Sequence, residues 1–421
     1  MAHVEVPYGS GTLELTLPDP NLIGVLEGKA APVIDLEEAF DQAWRNPIGI
    51  KDPAEIIRPG EKVVFIVTDH TRPTPTRRIF PLLWERICGK VCPEDVTLLV
   101  GTGTHRAPTD EELKQMLGEL RRKFHVSIHD CDRDLVRVGE SSRGIPIYVN
   151  RLVTEADRVV TIGHIGMHFY AGYTGGRKNI LPGVAGRETI EANHAQLTDP
   201  RCEGCVYEGN PISEEMSEAA RLAGIDYIVD VVLDSHGQVT KVVIGDVEEA
   251  HAAGRAFWDT LHQIEVSARA DLVIVSAGGH PHDINLYQAY KGLYNAAKIV
   301  KDGGMILWIA ACPDSIGHSV FSEWMLRCCD LPDEVFGILQ REGFKLGGHK
   351  AFYLAKNLQR AEIHLYSEME GELVRRFFLK PASDPNDIVS IARKQFGEEF
   401  RILVMPNGGA TFPILDGDAS L

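Results

Sequence analysis

The sequence predicts an α/β protein of two domains built on mainly parallel sheets, with an active-site cleft between them. Three observations carry that expectation. Short apolar, β-branched runs bounded by turn residues recur at 62–69, 96–103, 157–164, 226–234, 271–279 and 305–310, and their continuous hydrophobicity is that of strands covered on both faces. Helix-like stretches lie between several of them, at 75–89, 109–124, 248–263 and 285–301; strands alternating with helices imply parallel sheets with helices on their faces. The 421 residues are too many for one compact core and suggest two domains.

Taken in order, the opening "MAHVEVPYGSGTLELTLPD" alternates like a strand and lacks the cationic start and apolar block of a signal peptide. The run "KVVFIVTD" (62–69) ends in "TDHTRPTP", where Pro73 and Pro75 stiffen the exit from the strand. After "VTLLVGTG" (96–103), Thr109 and Glu112 in "TDEELKQM" form the S/T-x-x-E pattern of a capping box, which fixes a helix start. Strand-to-glycine transitions at 98–103 and 273–279 suggest two blocks joined near 262–270. The expected N-terminal domain is 1–265 and the C-terminal domain 266–421, with the tail 405–421 left free to pack back on the first.

Composition narrows the function. With 44% hydrophobic and 24% charged residues the chain reads as folded. Its formal charge of −17 repels nucleic acid and anionic membranes, so an anionic ligand must be caught by a local cluster of donors, and the partner is expected to be a small molecule. The eight cysteines show none of the regular spacing of a secreted disulfide framework, and no apolar run reaches the length of a membrane span. A cytoplasmic protein, with no nucleic-acid or membrane partner, is the expectation.

In open parallel sheets ligands sit beyond the carboxyl ends of the strands. The residues at those ends here are "TDHTRPTP" (68–75), "GTGTHR" (101–106), "GHIGMHFYAG" (163–172) and "AGGHPHD" (277–283), all bearing His, Asp or Arg, mostly among glycines. Asp69 and Arg72 read either as a carboxylate- or phosphate-binding arginine with its neighbour or as a plain ion pair. His105 reads as a general base or as a satisfied turn histidine. "LLVGTGTHR" lacks the third glycine of a dinucleotide fingerprint, Arg106 standing in its place, so a nicotinamide cofactor is not supported. "GYTGGRKN" misses the phosphate-loop spacing, with Arg177 before Lys178 and Asn179 where a hydroxyl would bind magnesium. Its glycines still allow backbone N–H groups to approach an anion, as a phosphate rest or only as a flexible loop. His280 and His282 raise a zinc-dependent hydrolase, and "CEGC" (202–205) is a lone C-x-x-C without the further ligands of a structural zinc site.

Together "DHTRPTP", "GTGTHR", "GHIGMHFYAGYTGGRKNILPG", "EANHAQ", "NLYQAYKG" and the final "PNGGATFP" resemble the lactate racemase family in order and approximate spacing. The resemblance implies a racemase or 2-epimerase of an α-hydroxy acid that uses a nickel-pincer nucleotide bound in the N-terminal domain, and cofactor-maturation proteins as partners. It implies that Lys178 carries the cofactor covalently, that His194 ligates nickel, and that His105 and His168 are the two acid/bases. It assigns Arg72 and Lys291 to the substrate carboxylate, Tyr287 and Gln288 to the same pocket, and Asp69, Arg72, Gly176 and Arg177 to the cofactor side. Within this scheme Cα hydrogen leaves as hydride while a histidine takes the hydroxyl proton, which avoids deprotonating a feeble carbon acid; two bases on opposite faces serve the two enantiomers. His164 is left with a hydrogen-bonding role only. His280 and His282 fall on variable positions of the family's G-G-x-P-x-D pattern. In "GGHKAFYLAK" (347–356), His349 and Lys350 stand where an aromatic residue against a small substrate is expected, which keeps a longer 2-hydroxy acid, such as a sugar acid, beside lactate. The rival readings are the zinc hydrolase through His280 and His282 and a non-enzymatic sensor of a hydroxy acid or nucleotide.

Overall fold

The computed structural model describes residues 1–29, 31 and 34–416. The chain divides into two compact units: Met1–Lys29 with Leu261–Leu421, the split unit, and Ala30–Thr260, the inserted unit.

The chain opens in the split unit with an antiparallel hairpin, β1 (Ala2–Tyr8) and β2 (Gly11–Leu17), followed by β3 (Leu22–Val25). The alternation read at the N-terminus is this hairpin. Val6, Leu15 and Leu17 turn inward against Leu272, Ile274, Met305 and Leu307 of the main sheet. Residues 1–29 therefore belong with the C-terminal part of the chain, a correction to the 1–265 domain expected from the sequence. The physical reason is a pairing made at long range, β3 beside residues 402–404, which no local pattern encodes.

The inserted unit carries β4 (Val63–Thr68), β5 (Val96–Gly101), β6 (His125–Ile128), a hairpin of β7 (Leu135–Glu140) and β8 (Pro146–Asn150), β9 (Arg158–Ile165), the short pair β10 (Met167–His168) and β11 (Gly172–Tyr173), then β12 (Tyr227–Leu233) and β13 (Val239–Gly245). Its sheet has the order β13-β12-β9-β4-β5-β6. All neighbours are parallel except β13, which runs antiparallel to β12. From β4 the chain winds outward to β5 and β6, then returns to add β9 and β12 on the other side. The topological switch point thus lies between the carboxyl ends of β4 and β9, where such sheets leave a crevice.

Helix α1 (Thr76–Ile87) covers one face through Ile79, Phe80 and Leu83. Phe80 stands edge-on to Phe65 and Phe124 at centroid distances of 5.1 and 5.0 Å, a packing that adds to simple area burial. Helix α2 (Asp110–Leu117) begins with the capping box read from the sequence: Glu112 N–H donates to Thr109 Oγ1 (3.3 Å) and Thr109 N–H to Glu112 Oε2 (2.7 Å).

Back in the split unit, β14 (Gln263–Val266), β15 (Ala270–Ser276), β16 (Val300–Ile309), β17 (Ala361–Tyr366), β18 (Lys380–Pro381), β19 (Ile402–Met405) and β20 (Phe412–Leu415) complete the strands. A parallel sheet of order β18-β17-β16-β15-β19-β3 forms the centre, and β14 pairs with β20. The strands of the tail thus pair within this unit; residues 417–421 lie outside the described residues. Among the described residues no helix is long and apolar enough to cross a membrane, and none of the eight cysteines is in a disulfide.

Candidate active site

The crevice at the switch point of the inserted unit gathers Asp69 and Arg72 from the loop after β4, His105 from the loop after β5, His164 from the end of β9, and Lys178 and Asn179 from a tight turn at Gly176–Asn179. Four of the segments singled out in the sequence are thereby drawn to one cavity, as the alternation of strands and helices requires.

Asp69 is only 3% exposed. Its Oδ2 lies 2.7 Å from His105 Nδ1, and its Oδ1 accepts from the Thr71 hydroxyl (2.6 Å) and Thr71 N–H (3.1 Å). Burial pushes this carboxyl up, but the hydrogen bond and charge of His105, with Thr71 and Arg72, outweigh it and hold it below the usual carboxylate range. Asp69, assigned from the resemblance to the cofactor side, thus aims its carboxylate at His105. A carboxylate on Nδ1 fixes that nitrogen as the donor and leaves Nε2 as the atom able to exchange a proton. His164, on the same cavity wall, shares a hydrogen bond with Thr74 Oγ1 at 2.9 Å.

Lys178 is buried, and its amine is held well below its ordinary value, first by burial and then by the nearby charges of Arg72 and Arg177. Its Nζ lies 4.0 Å from Met216 Sδ, on helix α4 (Pro211–Ala223). His194 ends helix α3 (Arg187–His194), and burial followed by the charge of Lys178 lowers its imidazole to about 3. Both shifts disfavour the protonated form, and the unprotonated form is the one required of an amine that forms a bond and of an imidazole that ligates a metal. His168, on β10, receives the N–H of Ala171 at Nδ1 (3.4 Å) and meets the Tyr170 ring edge-on at 4.5 Å. The same Tyr170 ring lies 5.2 Å from His194, so one tyrosine connects the two histidines.

Gly176 and Arg177 sit in the wall behind the turn. Gly176 N–H donates to Asp230 Oδ2 at 2.6 Å. The Arg177 guanidinium is 1% exposed and donates to Ser213 Oγ (2.8 Å), the Ser213 carbonyl (3.4 Å) and the Ala171 carbonyl (3.3 Å). It also stacks 4.3 Å from the Tyr207 ring. Burial brings it down to about 10. Its donors are committed to holding the turn, and it does not line the cavity.

In the split unit, Tyr287, Gln288 and Lys291 lie on helix α5 (Leu286–Ile299), whose start is capped by Asn285 Oδ1 accepting from Gln288 N–H at 2.9 Å. Residues 287 and 291 are one turn apart and share a face. Tyr287 stacks on His318 (4.6 Å), approaches His349 edge-on (6.3 Å), and has the Lys350 amine 3.6 Å over its ring, the same amine donating to its carbonyl. His349 and Lys350 are on helix α6 (Gly348–Arg360). The two polar residues flagged in "GGHKAFYLAK" thus surround the tyrosine assigned to the substrate.

His280 and His282 form no metal cluster. Among the described residues the group of His, Cys, Asp or Glu with ligand atoms close enough to share an ion is Asp130, Cys131 and Asp132, and there Asp132 is held by Arg187 in two-point geometry, 2.7 Å at each oxygen. Asp283, which follows the two histidines, turns Oδ2 to the N–H groups of Gly9 (2.7 Å) and Ala311 (3.1 Å). Among the described residues, His280 and His282 thus have no third ligand close enough to complete the zinc site of the hydrolase alternative. Sequence reasoning missed Asp230, Tyr170 and His318. Only Asp230 left a signal, as a lone acid inside the apolar run "DYIVDVVLD".

Comparison with known proteins agrees with this geometry. The family model described as the lactate racemase N-terminal domain matches residues 8–203, and that of the lactate racemase C-terminal domain matches 266–412. The lactate racemase of Thermoanaerobacterium thermosaccharolyticum is 34% identical over 419 residues, 97% of this chain and 98% of that protein. The lactate racemase of Lactiplantibacillus plantarum is 33% identical over 419 residues, 97% of this chain and 99% of that one. The solved lactate racemase apoprotein of T. thermosaccharolyticum matches with a TM-score of 0.91, covering 98% of this chain and 100% of its own. A Thermotoga maritima protein at 21% identity, covering 92% of this chain and 100% of its own with a TM-score of 0.68, shares the fold.

Proposed function

The chain belongs to the lactate racemase family and is an isomerase of hydroxy acids; we propose that it inverts Cα of an α-hydroxy acid using a nickel-pincer nucleotide and two histidine acid/bases. The observation that carries this reading is the pair Lys178 and His194, both buried and both shifted by that burial away from the charged form. A buried amine and a buried imidazole so shifted fit a group that is bonded through the first and ligated through the second. Lys178 would hold the cofactor and His194 its nickel. When bound, such a cofactor would supply a hydride acceptor for the Cα hydrogen.

The rest is done by the chain. Arg72 lines the cavity beside His105 and suits the substrate carboxylate through its planar fork of donors. His105, oriented by Asp69, accepts the hydroxyl proton at Nε2 for one enantiomer and returns it on re-formation of the alcohol. His168 performs the same task for the other enantiomer, with Tyr170 fixing its ring.

For the substrate, the lactate named for the relatives is the small end of the class. His318, His349 and Lys350 around Tyr287 support a longer 2-hydroxy acid with hydroxyl or carboxylate groups beyond C3. A panel of 2-hydroxy acids distinguishes the two: Lys350→Met is expected to lower kcat/KM for polar long substrates more than for lactate.

The test of the function is mass spectrometry of protein matured with the cofactor-building enzymes. An added mass at Lys178 and nickel lost in His194→Ala are expected; an active enzyme with unmodified Lys178 refutes the proposal.

A further inference from the structure

The turn that presents Lys178 is a single short 3-10 turn, Gly176–Asn179. Gly175 and Gly176, at its start, have φ of +85° and +48°, which is left-handed backbone. Such a segment stays in place only where the surroundings over-determine it. One side of the turn is held by Arg177 on Ser213, Ala171 and Tyr207. The other side meets Asp230, which accepts the Gly176 N–H, with Ile165 and His251 packed close by.

Asp230 lies mid-strand in β12, fully buried, between Val229 and Val231. An acid there costs stability unless it returns hydrogen bonds to something that needs them. Burial pushes its carboxyl up to about 7, with the N–H groups of Gly176 and Gly163 and the charge of Arg177 acting the other way. Its Oδ2 accepts Gly176 N–H at 2.6 Å. A Cβ on Gly175 would lie 2.5 Å from that same Oδ2, and a Cβ on Gly163 would lie 2.8 Å from Oδ1 and 2.9 Å from Asn179 Nδ2. The carboxylate is thus seated against the residues before Lys178 and brought close to the residue after it, through two glycines that leave it room.

We propose that Asp230 is a positioning residue whose carboxylate, wedged beneath the Gly175–Asn179 turn, sets where the Lys178 amine stands for cofactor attachment. The inference rests on the reading of Lys178 as the attachment point, and it requires a hydrogen-bond acceptor at Oδ2 rather than a negative charge. Asp230→Asn keeps an oxygen for Gly176 N–H. Asp230→Ala removes the acceptor and leaves a gap.

Two measurements separate this inference from the function it builds on. In the apoprotein, amide hydrogen exchange of residues 174–180 is expected to quicken by about tenfold or more in Asp230→Ala and to return towards wild type in Asp230→Asn. After maturation, adduct occupancy at Lys178 is expected to fall about tenfold in the folded Ala variant and to be largely restored in Asn. Should Asp230→Ala fail to fold, Gly175→Ala displaces the turn from its own side and is expected to give the same two effects. Unchanged exchange in 174–180, or wild-type occupancy in Asp230→Ala, overturns the inference even with the family mechanism intact. Absence of any adduct in wild type, with exchange responding as expected, defeats the cofactor reading and leaves Asp230 as the brace of the turn.

Discussion

Asp69→Asn separates an orienting carboxylate from a cofactor contact. The substituted side chain has the same shape, and its oxygen can still accept from the Thr71 hydroxyl and N–H that now hold Oδ1 at 2.6 and 3.1 Å. The loop is therefore expected to stay in place. What changes is the atom at the Oδ2 position, now an NH2 facing His105 Nδ1 across the former 2.7 Å contact. An NH2 there makes Nδ1 the acceptor and moves the ring proton to Nε2, the atom that must be bare to take a proton. A hydrogen bond to a charged group contributes about 1.5–3 kcal/mol. At about 1.4 kcal/mol per factor of ten, that corresponds to a loss of roughly 10- to 150-fold in kcat/KM. The equilibrium constant is a property of the substrate, so both directions must fall by the same factor. The assay is isomerisation from each stereoisomer, normalised to adduct occupancy at Lys178 measured by mass. A change within about twofold at equal occupancy refutes the orienting role; a loss that follows occupancy returns Asp69 to the cofactor.

Three further outcomes are expected. His168→Ala should abolish isomerisation while leaving the circular dichroism spectrum and the Lys178 adduct unchanged, since the histidine serves the proton and not the tether. Asp230→Asn should raise stability above about pH 4, because the unfolded carboxyl ionises near 3.8 while the folded one resists until about 7; the wild-type penalty grows by about 1.4 kcal/mol per pH unit across that window and is then constant, so urea midpoints of the two proteins should diverge from pH 4 to 7. Thr109→Ala should cost about 1 kcal/mol through loss of the capping box, read from the same denaturation curves.

Much of this architecture was legible because the buried strands are continuous apolar runs. β4, β5, β9 and β12 each fall within a residue or two of the segments read from the sequence, and the Thr109 box sits where its spacing placed it. The site was legible at the level of loops, since winding from β4 outward forces the polar strand ends into one crevice. What escaped was anything set by a side chain's direction. Asp69 and His105 are 36 residues apart, and their contact depends on two loops meeting. Arg177 follows a glycine track that suggests an anion site, yet its burial against Tyr207 is decided by helix α4 and the loop before it. Residues 1–29 went to the wrong domain because a strand's partner is not written in its own pattern.

The distribution of buried titratable groups explains why the turn needs bracing from both sides. Lys178, His194, Arg177, Asp230 and His251 are all buried, and burial is the first cause of the shift in each. In each case the charged form is disfavoured, so this region lowers the stability of the apoprotein as it stands. Arg177 and Asp230 recover part of that cost through hydrogen bonds around the turn. Under the proposed function, Lys178 and His194 would recover it by forming bonds to a ligand. The same desolvation that makes this region costly disfavours the protons that would block attachment. It follows that loading should raise the melting temperature by more than ligand mass action on a preformed surface site of equal affinity and concentration would. A Lys178→Met protein, which keeps the bulk without the amine, should be more stable than the wild-type apoprotein. If Lys178→Met is instead less stable at neutral pH, the buried amine is not a strained group awaiting a bond, and the link drawn between burial and attachment is wrong.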